Sequence, residues 1–78
     1  MTLLTEIDVR ELPPPEPMTA ILSALSTLPQ QGMLRVHHSR QPYPLYAKLE
    51  AAGWAYECEQ LSDHYFLISI YRQLDSSP

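Results

Sequence analysis

The side chains able to do chemistry in this chain are one thiol, three imidazoles, five phenols and a scatter of charges. Cys58 is the only cysteine, and so the only side chain able to carry sulfur. It alternates with Trp54 and Tyr56, which turns it toward the apolar side of a strand, and a thiol buried there is inert. A sulfur or redox relay through Cys58 is the alternative. His37 and His38 are adjacent, and adjacent side chains on a strand point to opposite faces. They would need a bulge to share one ion, and His64 lies on a separate turn, so no metal site is expected. Ser39, His38 and Asp63 do not form a triad. With only Gly32 and Gly53 available, no nucleophile elbow or oxyanion loop is evident. The chemistry therefore points away from an enzyme, and no cofactor is implied. His38, Arg40, Tyr43 and Tyr46 remain as a candidate ligand loop, and a small-ligand or metal binder using the segment from His37 to Tyr46 is a further alternative.

The elements that must position these groups follow from periodicity. Thr5 to Val9 alternates as a short strand, and Pro13-Pro14-Pro15 cannot continue a ladder. Pro15 and Pro17 suit the first turn of a helix, where their missing N–H groups have no intrahelical role, and Glu16 places negative charge at that helix's positive end. The same prolines remove donors from an anion site there, so the corner reads as structural. Met18, Ile21, Leu22, Leu25 and Leu28 form one apolar stripe, and the helix is expected to run to about Leu28. Met33 to His38 is a second strand. Pro44 starts a short second helix that Gly53 caps in a left-handed conformation. Trp54 to Leu61 and Tyr65 to Arg72 form a hairpin around Ser62-Asp63-His64.

The order β-α-β-α-β-β specifies an α+β two-layer sandwich, a mixed four-stranded sheet with two helices on one face. The strand–helix–strand units predict parallel neighbours with right-handed crossovers. The uncovered sheet face presents Arg35, His37, Glu57, Glu59, Tyr65, Leu67, Ser69 and Tyr71. Of these, Arg35, His37, Tyr65, Leu67 and Tyr71 make a candidate protein-partner face, with His37 expected near Glu57 or Glu59.

Seventy-eight residues make a single domain, 1–78, with an ordered core at about 5–72 and a loose tail from Gln73 to Pro78. A chain this small gains from association, and a homodimer is one way to obtain it. A hydrophobic fraction of 45% argues for a folded globule. Nine acids against five dispersed bases give a net charge of −4, which argues against nucleic acid. No apolar run is long enough to span a bilayer, and no signal peptide is evident. The lone cysteine fits a reducing, cytoplasmic setting.

Ile7-Asp8-Val9-Arg10 followed by Pro14-Pro15-Glu16-Pro17 resembles the opening of the TusA/SirA-like sulfur carriers, Leu-Asp-x-Arg-Gly-x-x-Cys-Pro-x-Pro. That resemblance implies a persulfide carrier with the same element order. Glu11 stands at the glycine position and Pro14 at the cysteine position, so Pro14, Pro15, Glu16 and Pro17 are the equivalents of the carrier site without its nucleophile. The segment "RVHHSRQPYPLYAKLE" is similar to a related bacterial group of unknown function that lacks the cysteine. Some members of that group are joined to hemerythrin-like domains, which hints at redox or metal-linked work. The function expected from all this is a non-enzymatic protein-interaction or regulatory module.

Overall fold

A computed structural model describes residues 3–73. The chain runs β1 (Leu3–Asp8), α1 (Glu16–Ser26), β2 (Gly32–His38), α2 (Tyr43–Ala51), β3 (Trp54–Ser62) and β4 (Tyr65–Arg72), the order that the alternation predicts. The strands form one mixed sheet in the spatial order β1-β2-β4-β3. β1 and β2 are parallel, with Ile7 opposite Val36, and both other pairings are antiparallel.

One expectation fails. β2 and β3 flank α2 in sequence but are not neighbours, because β4 lies between them. Side-chain chemistry accounts for the swap. Ile68 and Ile70 of β4 are wholly buried and need neighbours on both sides, whereas Glu57, Glu59 and Gln60 of β3 are exposed and suit an edge. Of the loose tail expected from Gln73 to Pro78, Gln73 is held by its N–H donating to Gly53 O at 3.2 Å, and residues 74–78 lie outside the described residues.

Both helices pack on one face. Ile21 and Leu25 of α1, with Leu45 and Leu49 of α2, bury against Leu34, Val36, Ile68 and Ile70. Each such aliphatic side chain contributes about 1.5–3 kcal/mol on leaving water. The buried line on α1 is Pro17, Ile21 and Leu25, continued by Leu28 just past the helix. Leu22 is 38% exposed, so the stripe is rotated away from it. Val9 lies one residue beyond β1 yet extends its pairing, with its N–H donating to His37 O at 2.9 Å. Gly53 takes φ +85 directly after α2, the left-handed turn that stops it.

The C-terminal end of α1 has no basic residue in its last turn. Arg72, at the end of β4, supplies that charge from across the fold. Its Nη2 donates to Leu28 O at 3.0 Å, and its Nη1 donates to Pro29 O at 2.5 Å and to Gln30 O at 3.2 Å. The guanidinium also lies 4.8 Å from the centre of the Trp54 ring. One side chain thus ties the α1–β2 connection to both strands of the hairpin. Arg72→Met should lower unfolding free energy by roughly 1–2 kcal/mol, after allowance for partial exposure, while Leu22→Ala should change it by less than about 0.5 kcal/mol. Urea denaturation of the two variants measures both, and equal losses would contradict this packing.

Candidate functional site

Because β1 and β2 are parallel neighbours, the loops that follow them leave from the same end of the sheet. The first loop turns through Leu12, whose N–H donates to Val9 O at 3.2 Å, and Pro13, whose carbonyl accepts Glu16 N–H at 2.9 Å. It delivers Pro14 and Pro15 to the start of α1. The second loop leaves β2 at His38 and enters α2 through Pro42, with Leu45 N–H donating to Pro42 O at 3.0 Å. The N-terminal ends of the two helices therefore stand side by side, each with a proline in its first positions.

A groove of about 370 Å³ opens between them. One wall is Leu12, Pro14, Pro15, Pro17, Met18 and Ile21; the other is His38, Ser39, Arg40, Gln41, Pro42, Pro44 and Leu45. The lining is mostly apolar. No carboxylate takes part in it, although acids outnumber bases in the chain. Glu16 is exposed and is not part of the lining.

His38 is the buried polar group of this site, only 5% exposed. Its Nδ1 accepts the Arg40 backbone N–H at 3.2 Å. Burial, and then the nearby Arg40 charge, pushes its pKa below the ordinary 6.5. The neutral ring therefore carries its proton on Nε2. Tyr43 and Tyr46, expected beside His38 and Arg40 in one loop site, do not line the groove. They belong to an aromatic stack in which Tyr46 lies parallel to Tyr56 at 4.3 Å and edge-on to Tyr43 at 6.0 Å. The Tyr46 hydroxyl is buried without a hydrogen-bond partner, and burial followed by the neighbouring Cys58 thiol pushes its pKa up. Cys58 itself is half-buried on β3, outside the groove.

The uncovered sheet face carries a second cluster. His37 pairs with Glu6, not with Glu57 or Glu59, because parallel β1 lies beside β2 while β4 separates β3 from it. The His37 Nε2–Glu6 Oε2 distance is 3.1 Å, and His37 Nδ1 lies 2.7 Å from the Tyr65 hydroxyl. A proton on Nε2 facing the carboxylate leaves Nδ1 to accept from the phenol. Arg10 lies 4.6 Å above the Tyr65 ring and binds Asp8 through two side-chain contacts of 3.0 and 2.7 Å. The hydrogen bond from the Arg10 side chain, helped by its backbone N–H, lowers the Asp8 pKa from 3.8 to about 2. Tyr71 donates to Glu57 at 3.0 Å, Leu67 is half-buried, and Arg35 has a buried Nε with no hydrogen-bond partner. Among the described residues, no three His, Cys, Asp or Glu side chains are grouped to hold a metal, and no helix is long and apolar enough to cross a membrane.

In the sequence the proline corner and the His38–Arg40 segment read as separate features. Nothing local in the sequence marks Leu12, Met18, Ile21, Gln41, Pro42 and Leu45 as shared lining. The available signal was the first strand–helix–strand unit, since parallel pairing puts both following loops at one end. A family model described as "Uncharacterized conserved protein (DUF2249)" matches residues 6–72. No match was found among curated proteins or among solved structures.

The His38 environment sets a pH dependence. A histidine held neutral in the fold binds fewer protons than its unfolded counterpart, so its contribution to stability falls as pH drops below 6.5. Asp8 acts lower down, its contribution being present above 3.8 and lost as pH falls through about 2. An NMR titration should place the His38 midpoint below 6.5. A midpoint at or above that value would contradict the buried, neutral assignment.

Proposed function

This chain belongs to the uncharacterized conserved protein family DUF2249, and from the geometry of its groove we propose that it is a recognition module that works by binding rather than by covalent chemistry. The recognition site is the groove between the proline corner and the loop from His38 to Pro44. The observation that carries this reading is that two connections, far apart in sequence, converge on one concave apolar surface with a single buried histidine. Its volume of about 370 Å³ falls within the usual range for ligand pockets. In open sheets with parallel strands, ligands characteristically occupy the crevice beyond the carboxyl ends of those strands, which is where this groove lies.

The sulfur-carrier resemblance fits the same place. Pro14 stands where the carrier cysteine would be and forms part of the groove wall, so the scaffold keeps a docking corner and lacks the sulfur-bearing atom. Cys58 is no substitute, because it sits on β3 outside the groove. The module is regulatory in this reading, and its one cysteine fits a reducing cytoplasmic setting.

A second reading puts a protein partner on the uncovered sheet face. The buried, unpartnered Nε of Arg35 favours it, as does half-buried Leu67 nearby. The remaining polar groups there favour it less, since Tyr65, His37 and Tyr71 already satisfy one another or neighbouring carboxylates.

Incubation with a cysteine desulfurase and cysteine should leave no persulfide on the protein, and Cys58→Ser should behave as wild type; a transferred persulfide seen by mass spectrometry would overturn the non-covalent reading. For the groove, a neutral apolar probe, octanamide, should shift the amide resonances of Met18, Ile21, His38 and Leu45, and Met18→Trp should abolish the effect. Shifts confined to Arg35, Leu67 and Tyr71 would instead favour the sheet face.

A further inference from the structure

We infer that the groove takes a small amphipathic monoanion, a single acid group on an apolar body, with the acid held at the groove mouth by Arg40 and the Nε2–H of His38. This inference rests on the groove being a binding site, and it names the chemistry of the occupant.

His38 keeps one donor unused. His38 Nδ1 is committed as acceptor to the Arg40 backbone N–H, so the neutral ring offers a proton on Nε2. That nitrogen makes no hydrogen bond to any described residue, and His38, only 5% exposed as a residue, lines the groove. Nε2 is open at the groove surface, so an acceptor brought by a ligand can pair with it directly. Arg40 adds the charge. It is exposed, lines the groove and forms no ion pair among the described residues, where Arg10 is matched by Asp8. Its charge is also close enough to His38 to help suppress protonation of the ring. One fixed cation beside one neutral donor suits one negative group.

The surroundings agree in sign. No carboxylate lines the groove, in a chain of net charge −4. Both helices begin at this site; the N-terminal end of α2 has no acid in its first turn and adds positive partial charge, whereas Glu16 offsets that of α1. Pro17 and Pro44 withhold backbone donors in those first turns, so side-chain groups must supply the hydrogen bonds. The apolar remainder, built by Pro14, Pro15, Met18 and Ile21, would be poorly served by a free inorganic anion and suits a hydrocarbon chain or ring.

Titration of the full chain with octanoate and with octanamide, followed by NMR, separates the possibilities. The expected result is that both perturb the groove amides and that octanoate binds at least about ten-fold more tightly, the gain expected from a charge-assisted pair. Arg40→Gln should bring octanoate down to the amide's affinity, Arg40→Lys should keep part of the difference, and circular dichroism should show all variants folded. Equal affinities for the two probes would overturn the inference and leave the binding groove standing. Absence of any perturbation at the groove by either probe would overturn both. Octanoate shifts that persist unchanged in Arg40→Gln, or that lie on the sheet face, would also overturn the assignment of the acid group.

Discussion

The parallel pairing of β1 with β2 is the constraint on which the rest of the structure depends. It sets Ile7 against Val36 and carries the ladder one residue further, to the hydrogen bond from Val9 to His37. Parallel strands must be joined by a crossover, so α1 has to cover one sheet face and return the chain to its starting edge. Each strand then releases its next loop at the same end of the sheet. The groove follows from this, because prolines stiffen both loops and both loops open helices. Moving β1 out of register by one residue would turn Ile7 away from the core and take Pro14 and Pro15 out of the wall that faces His38.

The opposite end of the fold is held in another way. A hairpin whose second strand occupies the sheet interior brings Arg72 back to the end of α1, where it meets three carbonyls and the Trp54 ring. Long-range closure by one guanidinium suits a small chain whose core is a single layer of aliphatic side chains between sheet and helices. The groove end, by contrast, is closed by proline and van der Waals contact. Its lining carries His38 and Arg40 beside Ser39 and Gln41, and the Arg40 guanidinium forms no ion pair among the described residues.

Much of the fold was legible because period and punctuation agreed. Alternation in Met33 to His38 and Tyr65 to Arg72 marks the two central strands, and Gly53 marks the end of α2. The spatial order of the strands was harder to read, since chain order favours β3 beside β2. Comparing the charges of Trp54–Ser62 with the buried Ile68 and Ile70 would have put β4 in the interior. The site was legible only in fragments. His38 and Arg40 stood out as residue types, and Pro14 and Pro15 through a resemblance, but nothing local says that residues 14 and 40 share a wall. Met18, Ile21 and Leu45 read only as core. His37 was matched to the wrong carboxylate for the same reason, a tertiary neighbour on β1 that no sequence window contains.

The central claim is that the crevice beyond β1 and β2 is where this protein meets its ligand, without covalent chemistry. A crystal structure of the chain grown with octanoate tests it most directly. The expected density lies between the proline corner and Leu45, with the carboxylate within hydrogen-bonding distance of His38 Nε2 and the Arg40 guanidinium and no bond to any protein atom. An unoccupied groove, with octanoate ordered on the sheet face around Arg35 instead, would contradict it.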